Sequence, residues 1–273
     1  MLFRGIPLKE KPWSGDASDG RWPRPVGRRI LLAGASGGLG RALLEGLAER
    51  GLWVGAHFHR QKKALQAWQR KAGERGQRTR LFQADLRHQT ACHRLVDDFA
   101  AWAGGIDALV QLTGDIERPA AWDRVSEKDW NVDLATNLGG PFFLAQRAMK
   151  HMARAGGRIV LTSTASARHG GGATTLAYGV AKAGVECLIK GLARVGAPRK
   201  ILVNGVAPGF ILTPFHTRRL KRTPADLLRR SRECLLKRAG KPDDVARLIL
   251  YFLSAGGNYV TGECFSVSGG DWL

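Results

Sequence analysis

The sequence predicts an α/β fold in which one domain places helices on both faces of a doubly wound parallel sheet. Two observations predict this fold. Strand-type and helix-type apolar patterns alternate from about Arg28 onward, and a glycine-rich turn joins the first strand pattern to the first helix pattern. Such alternation is typical of βαβ units, whose strands run parallel. A length of 273 residues suits one large domain of this class.

The predicted elements follow one another in a regular order. Strand patterns occupy the segments RRILLAG, LWVGAHF, RLFQAD, DALVQL, RIVLTST, KILVNGVA and CFSVSG. Helix patterns occupy LGRALLEGLAERG, KKALQAWQRKAG, ACHRLVDDFAAWAGG, one long helix around residues 126–153, a helix at about 177–194, and DDVARLILYFLSA. We expect residues 1–27 to form an N-terminal basic arm. Residues 28–273 form the domain, with a small helical lid at about 213–238.

Charge and composition limit the expected partners. Lys and Arg number 43 against 23 Asp and Glu, for a net charge of +20. A solvated basic surface is the simplest explanation, and an anionic substrate or an acidic carrier protein is the alternative. The sequence contains no nucleic-acid-binding motif, no signal peptide and no apolar segment of membrane length, so we expect a cytoplasmic protein without specific nucleic-acid or membrane partners. Its four cysteines lack metal-ligand spacing, which predicts no metal site.

The glycine-rich turn after the first strand predicts a nucleotide site. Gly34, Gly38 and Gly40 permit a tight turn, close approach of a pyrophosphate and close packing of the following helix. The N-terminus of that helix supplies free N–H groups and positive potential. Ser36 and Leu39, which lie between these glycines, are predicted to contact the cofactor as well.

The end of the second strand predicts which dinucleotide is bound. A carboxylate at this point would accept hydrogen bonds from the ribose hydroxyls of NAD. The sequence has His59 and Arg60 instead, and a guanidinium binds a phosphate through two charge-assisted hydrogen bonds. We therefore predict NADP(H). Asp85 and Leu86 end the third strand and are expected to hold the edge and face of the adenine.

Tyr178 and Lys182 predict the chemistry. Their i, i+4 spacing on a predicted helix places the phenol and the ammonium group on one face. A neighbouring cation lowers the pKa of a phenol from its usual value near 10, so the hydroxyl is expected to exchange protons close to neutral pH.

Taken together, these motifs resemble the short-chain dehydrogenase/reductase family over roughly residues 28–273, which implies a Rossmann fold. The matching segments are AGASGGLG, ATNLGGPFF, RIVLTST, YGVAK, VNGVAPGFILT and YVTGECFSVSGG. The resemblance implies that Tyr178 is the general acid/base and that Lys182 binds the nicotinamide ribose. It implies a water relay at Asn137 and a substrate-orienting hydroxyl at Thr164, with Ser163 and Ser166 as alternatives.

Further cofactor contacts are implied by position. Gly114, Pro208, Gly209 and Thr213 would border the nicotinamide end. The sequence departs from the family where Asn-Asn-Ala-Gly is usual, because it has Gln111 followed by Leu-Thr-Gly. This change alters the polar groups that brace the cofactor region, so we expect binding with different local hydrogen bonds.

The resemblance implies an NADPH-dependent oxidoreductase that reduces a carbonyl-type substrate, such as a ketone or a 3-oxoacyl thioester, free or linked to an acyl carrier. The segment LWVGAHFHRQKKAL is similar to the pteridine reductases, so reduction of a dihydropteridine C=N bond is an alternative. A non-catalytic NADP-sensing or scaffold protein is the alternative of another class. The family also implies a homodimer or homotetramer that packs through helix 177–194 and the long helix.

Overall fold

One parallel sheet organises the protein. A computed structural model describes residues 23–48, 51–152 and 156–271. The seven strands have the order β3-β2-β1-β4-β5-β6-β7, and every neighbouring pair is parallel. The strands are β1 Arg29–Ala33, β2 Trp53–Phe58, β3 Arg78–Gln83, β4 Ala108–Gln111, β5 Gly157–Thr162, β6 Ile201–Pro208 and β7 Cys264–Val267. The predicted doubly wound α/β fold is therefore confirmed.

Helices cover both faces of the sheet. They are α1 Gly38–Gly46, α2 Lys63–Glu74, α3 Gln89–Ala103, α4 Glu127–Leu134, α5 Gly140–His151, α6 Leu176–Gly196, α7 Pro224–Glu233 and α8 Pro242–Leu253. Short 3₁₀ turns lie at Trp122–Arg124, Ala165–His169, Ala197–Arg199 and Ala255–Gly257. Within the described residues, no helix combines the length and the apolar character that a membrane span requires.

The core has two layers because side chains alternate across each strand. Leu31 and Ala33 of β1 pack with α3, α5 and α6 on one face. Ile30 and Leu32 of the same strand pack with α1, α2 and α8 on the other. This period of two is the geometry of an extended strand buried on both sides. A third, small cluster of Phe210, Leu227, Cys234 and Ala239 lies beneath α7.

One predicted element has a feature that the sequence did not indicate. The long helix expected at 126–153 is present and runs from Glu127 to His151, with a π-helical turn at Ala135–Gly139 between α4 and α5. The apolar pattern continues across this turn, so periodicity alone did not reveal the change in helix type. The helix expected at 177–194 is confirmed as α6. Residues 1–22 of the expected N-terminal arm lie outside the described residues.

The strand order places the site. The chain runs outward from β1 to β3 and then returns to add β4 on the other side of β1. The loops after β1 and β4 therefore diverge and leave a crevice at the carboxyl ends of these strands, where ligands of doubly wound sheets bind. The expected lid region supplies a second wall, formed by a π-helical turn at Phe215–Arg219 and by α7.

Candidate active site

The turn after β1 leaves room for main chain alone at two glycines. Gly34 has φ +86°, and a Cβ there would lie 2.8 Å from the amide nitrogen of Thr113. A Cβ on Gly40 would lie 2.4 Å from the Gly34 carbonyl oxygen. The described first turn of α1 contains no acidic side chain, and the first amides of a helix have no partner within it. The turn therefore fits the pyrophosphate of a dinucleotide.

A buried histidine holds this turn in place. The Gly34 amide donates to Nδ1 of His57 at 3.1 Å, so Nε2 carries the proton and donates to the Ala84 carbonyl at 3.1 Å. Burial lowers the pKa of His57 to about 4, which keeps the ring neutral and Nδ1 available as an acceptor. The other residues predicted here, Ser36, Gly38 and Leu39, line the crevice beside the turn.

A basic group of side chains surrounds the ends of β2 and β3. His59, Arg60, Asp85 and Leu86, the residues predicted to contact the cofactor here, line one cleft of about 620 Å³, and Arg41 and Arg87 join them. The Asp85 carboxylate is engaged by Arg87, whose Nε lies 2.9 Å from Oδ1, and hydrogen bonds from Arg87 lower the Asp85 pKa to about 2.

Sequence reasoning missed Arg41 and Arg87. Arg41 directly follows the last glycine of the turn and lies in the first turns of α1, so its position was a usable signal. No comparable sequence signal marked Arg87, because its place beside the cleft depends on its pairing with the Asp85 carboxylate. Arg41 and Arg60 therefore add guanidinium groups to this cleft, whereas Arg87 is paired with Asp85.

Tyr178 and Lys182 lie at the inner end of the crevice, on α6. The Lys182 ammonium lies 5.8 Å from the centre of the Tyr178 ring. It donates to the carbonyl oxygens of Thr162 at 2.8 Å and Thr113 at 3.3 Å, which end β5 and follow β4. Lys182 is 1% exposed. Two main-chain carbonyls therefore orient a buried lysine beneath the tyrosine.

The pKa of the phenol differs from the expectation. Burial raises the Tyr178 pKa above its usual value, and a hydrogen bond with Thr164 opposes this rise. Burial also lowers the pKa of Lys182 to about 7, so its positive charge is weakened near neutral pH. The predicted lowering of the tyrosine pKa was wrong for this structure, because burial, aided by the nearby carboxylates of Asp115 and Asp133, disfavours the phenolate.

Three hydroxyl groups were predicted as alternatives, and the structure separates them. Thr164 lies beside Tyr178, and its Oγ1 contacts Ser166 Oγ at 3.1 Å. Ser163 is buried and turned elsewhere, since its hydroxyl donates to Glu186 at 2.8 Å. Thr164 is thus the hydroxyl that geometry brings to the tyrosine, with Ser166 next to it.

Asn137 lies on the π-helical turn between α4 and α5. Its Nδ2 donates to the carbonyls of Asp115 at 2.7 Å and Asp133 at 2.9 Å, and its Oδ1 accepts from the Asp115 amide at 3.1 Å. A Cβ on Gly114 would lie 3.4 Å from both Asn137 Oδ1 and Lys182 Nζ. Gly114 therefore occupies the narrow space between the asparagine and the lysine, where no larger side chain fits comfortably.

Gln111 replaces the asparagine that is usual in the resembling family and makes its own brace. Its Nε2 donates to the Thr113 carbonyl at 2.8 Å and also to the Thr113 hydroxyl. Its Oε1 accepts from the Thr162 amide at 3.4 Å, and the Thr162 hydroxyl donates to the Gln111 carbonyl at 2.7 Å. The two carbonyls that hold Lys182 therefore belong to residues that Gln111 contacts.

A second cleft, of about 670 Å³, opens from the tyrosine toward α7. Pro208, Gly209 and Thr213, the residues expected near the nicotinamide, line it, and Gly34, Gly38 and Gly114 border both clefts. The two clefts are therefore continuous, so a dinucleotide in the first would present one end beside Tyr178. Groups of three or more metal-ligating side chains are absent from the described residues.

These features define a class of protein. The glycine turn and the first cleft, at the crevice between β1 and β4, fit a dinucleotide. A tyrosine–lysine pair with a neighbouring hydroxyl group lies in the adjoining second cleft. This is the arrangement of an oxidoreductase that uses a nicotinamide dinucleotide. The family model described as "Enoyl-(Acyl carrier protein) reductase" matches residues 34–271. The chain belongs to the short-chain dehydrogenase/reductase family.

Several relatives are similar over nearly the whole chain. A probable galactose dehydrogenase of Rhizobium meliloti is 31% identical, covering 89% of this chain and 94% of the relative. A 3-oxoacyl-[acyl-carrier-protein] reductase of Aquifex aeolicus is 31% identical, covering 89% and 97%. A short-chain dehydrogenase of Burkholderia cenocepacia, solved in complex with NADP, is 30% identical with a TM-score of 0.81, covering 89% and 97%.

Proposed function

We propose that the protein uses NADPH to reduce a carbonyl-type substrate in the cleft below residues 213–238. The observation that carries this proposal is the grouping of the Tyr178 and Thr164 hydroxyls in the second cleft, with Lys182 next to Gly114, which borders both clefts. Bound NADPH would supply the hydride. The residues of this chain have to orient the carbonyl and deliver a proton to its oxygen.

Tyr178 is the proton donor in this proposal. Its raised pKa keeps the phenol protonated at neutral pH, which suits an acid that acts on a carbonyl oxygen as negative charge develops there. Thr164 donates a second hydrogen bond to the same oxygen. Lys182 and Asn137 hold the surrounding polar groups, and Lys182 would contact the nicotinamide ribose.

The choice of NADP(H) over NAD(H) rests on the rim of the first cleft. Arg41, His59 and Arg60 line this cleft and would hold a 2′-phosphate, and Asp85 is already engaged by Arg87. A free carboxylate at this position would favour the ribose hydroxyls of NAD. The complex of the Burkholderia cenocepacia relative with NADP supports the same choice.

Residues 213–238 act as a lid in this proposal. The π-helical turn at Phe215–Arg219 lines both clefts and α7 lines the second, so their position controls access to Tyr178. The named activities of the relatives, a galactose dehydrogenase and 3-oxoacyl reductases, differ in substrate while acting on alcohol or carbonyl groups. A carbonyl-type substrate is what these activities have in common.

The experiment is to measure NADPH and NADH binding by fluorescence titration and then NADPH consumption with ketones, 3-oxoacyl thioesters, sugars, quinones and dihydropteridines. The proposal expects tighter NADPH binding and turnover of at least one carbonyl compound that is lost in Tyr178→Phe. Turnover of dihydropteridines alone would favour C=N reduction. NADPH binding without any turnover would favour a sensing or scaffold role and contradict the proposal.

A further inference from the structure

Charged side chains of the lid line the second cleft. Besides Lys182 at the inner end, the charged residues that line it are Lys221, Arg222, Asp226, Arg230 and Asp271. All except Asp271 belong to the lid segment, and Asp271 lies near the end of the chain. Asp226, Arg230 and Asp271 already form ion pairs in this region. The remaining two residues, Lys221 and Arg222, are both positively charged.

The lid is tied to the rest of the domain by two arginines that pair with distant carboxylates. Arg219 binds Asp115 in a bidentate manner at 2.6 and 2.8 Å, beside Gly114. Arg230 binds Asp271 at 2.5 Å, and Asp271 is 5% exposed. Bidentate and buried pairs of this kind fix direction as well as distance. The lid is therefore anchored on both sides of the cleft.

The start of α7 uses the last acidic group. Thr223 and Asp226 form a capping box, in which the Asp226 amide donates to Thr223 Oγ1 at 3.2 Å and the Thr223 amide donates to Asp226 Oδ2 at 3.0 Å. The same carboxylate pairs with Arg229 at 3.3 Å on the outer side of the helix. Arg222 also acts on Asp226 electrostatically, but the cap and Arg229 hold the carboxylate.

Lys221 and Arg222 lie between these anchors. Lys221 has φ +50°, a left-handed conformation that is uncommon for a residue with a side chain and recurs at functional sites. The Arg222 amide donates to the His216 carbonyl at 2.9 Å, which closes the turn that places both residues. Both side chains are exposed to solvent, and both line the cleft.

The cleft that Lys221 and Arg222 share with Tyr178 also has a large apolar lining. Ile116, Phe210, Phe215, Leu220 and Leu227 contribute to it. A charged substrate group would be poorly accommodated against these side chains and well accommodated at Lys221 and Arg222. The reacting carbonyl has to lie beside Tyr178 and Thr164, whose hydroxyls would act on it.

We propose that Lys221 and Arg222 form a binding site for an anionic group of the substrate, a carboxylate or a phosphate, separated from the reacting carbonyl by an apolar spacer. This inference rests on the proposed function, since it places the carbonyl at Tyr178. It makes the substrate class keto acids or keto phosphates of low molecular weight. Two of the many positive charges of the lid, those of Lys221 and Arg222, then select the substrate, and the charge as a whole also contributes to solubility.

The test compares two double variants that remove the same charge from the same segment. Lys221→Met/Arg222→Met removes the proposed site. Arg232→Met/Lys237→Met is the matched control, since both of its residues are exposed, neither lines the cleft, and Lys237 shares a positive φ of 53° with Lys221. Thermal unfolding and NADPH titration of each variant verify folding and cofactor binding.

The probes are keto acids of increasing chain length, the matching methyl esters, and a keto phosphate with its uncharged alcohol. For each pair we measure kcat/KM and, by calorimetry, affinity for the NADPH complex. Wild-type protein and the control are expected to prefer the anion. The Lys221/Arg222 variant should lose about 10- to 100-fold of that preference, the worth of a charge-assisted hydrogen bond, with ester values nearly unchanged.

Equal loss in both double variants would overturn the inference, because general attraction by the lid charge would then explain the preference. So would equal affinity of wild-type protein for acid and ester. Failure of the proposed function has a different signature, in which no probe is turned over although NADPH binds. The calorimetric comparison of acid with ester still tests the anion site in that case. A preference for phosphate alone or carboxylate alone would identify the source of the charge.

Discussion

The cofactor cleft and the lid cleft are built in different ways. The glycine turn at 34–40 is formed by consecutive residues and held by main-chain contacts and one buried histidine. The lid at 213–238 is held by ion pairs between residues far apart in the chain, such as Arg219 with Asp115. The glycine turn belongs to the proposed cofactor site, which every substrate needs in the same way. The long-range ion pairs shape the cleft in which the substrate itself would lie. Changes in the first region should affect all substrates alike, and changes in the lid should be selective.

Two histidines, one at the glycine turn and one in the lid, also differ in how they are held. His57 and His216 are both buried enough to lower their pKa to about 4. His57 uses both ring nitrogens, on Gly34 and Ala84. Nδ1 of His216 is buried and has no hydrogen bond of normal geometry among the described residues, and its ring packs edge-on against Phe210 at 4.9 Å. One ring therefore supports the cofactor turn by hydrogen bonds and the other fills the lid by packing.

The largest expected effect lies in the second cleft. Tyr178→Phe should lower kcat by about 10²- to 10⁴-fold on every substrate, the usual contribution of a positioned general acid, while leaving NADPH affinity within about twofold. Steady-state turnover and NADPH titration of the same preparation measure both quantities. Near-normal turnover of any verified substrate would mean that another group delivers the proton.

The cofactor rim should give the next largest effect. Arg60→Ala and Arg41→Ala should each weaken NADPH binding by about 10- to 100-fold if the guanidinium forms a charge-assisted pair with the 2′-phosphate. NADH binding should change little. Exposed Arg70 on α2, which does not line the cofactor cleft, provides the control variant Arg70→Ala. Equal losses for NADPH and NADH would contradict the assignment.

Gln111 should give a smaller effect that is still independent of substrate. Gln111→Met removes the hydrogen bond to Thr113, whose carbonyl helps to hold the Lys182 ammonium. We expect kcat to fall by about two- to tenfold, the worth of one neutral hydrogen bond. The alkaline limb of the kcat profile should also move to lower pH, since a Thr113 carbonyl that Gln111 no longer holds in position accepts less well from the charged lysine. Gln69→Met on α2 is the control. If the alkaline limb of the kcat profile stays at the wild-type pH in Gln111→Met, the role of Gln111 is only structural.

His216 should give the smallest effect at neutral pH and a visible one in acid. Its pKa of about 4 lies below the unfolded value near 6.5, so the unfolded chain binds more protons between these values and stability falls as pH falls from about 6.5 to 4. His216→Leu should flatten that fall without a cost at neutral pH. Urea unfolding across this range measures it.

His57→Leu is the comparison for that experiment. It should flatten the same acid limb, because the His57 pKa is lowered to a similar value. It should also cost about 1–3 kcal/mol at neutral pH, because the Gly34 amide would be left without its acceptor. If the two variants behaved alike at neutral pH, the distinction between a hydrogen-bonded and a packed histidine would be wrong.

Features encoded by neighbouring residues were predictable from the sequence. The seven strands, the glycine turn and the pairing of Tyr178 with Lys182 on one helix all follow from short spacings. The substrate-orienting hydroxyl was harder to predict. Ser163 and Thr164 are neighbours whose side chains point to opposite sides, so that Thr164 contacts Tyr178 while Ser163 contacts Glu186. Counting along the strand favoured Thr164, whereas its spacing to Tyr178 was one residue longer than expected, so its neighbours stayed open.

Features that depend on distant partners were not predictable. Arg219 and Asp115 are 104 residues apart, and nothing in either segment names the other. The π-helical turn at Ala135–Gly139 is equally hidden, because its apolar pattern is that of an ordinary helix. The pKa of Tyr178 depends on burial around it, which a phenol–ammonium spacing does not report.

The association of subunits through α6 and the α4–α5 region stays a prediction of the family resemblance. Light scattering at micromolar concentration measures it directly. A particle with the mass of a single 29.7 kDa chain would contradict it.

The pairing of Arg230 with Asp271 gives the segment after β7 a practical importance. The Asp271 carboxylate is buried against Gly209 and anchors the lid. Proteolytic nicking between β7 and Asp271 during storage would therefore release one anchor of the lid. Preparations that differ only in such a nick would then differ in substrate selection, which an assay with a single substrate would mistake for variable specific activity.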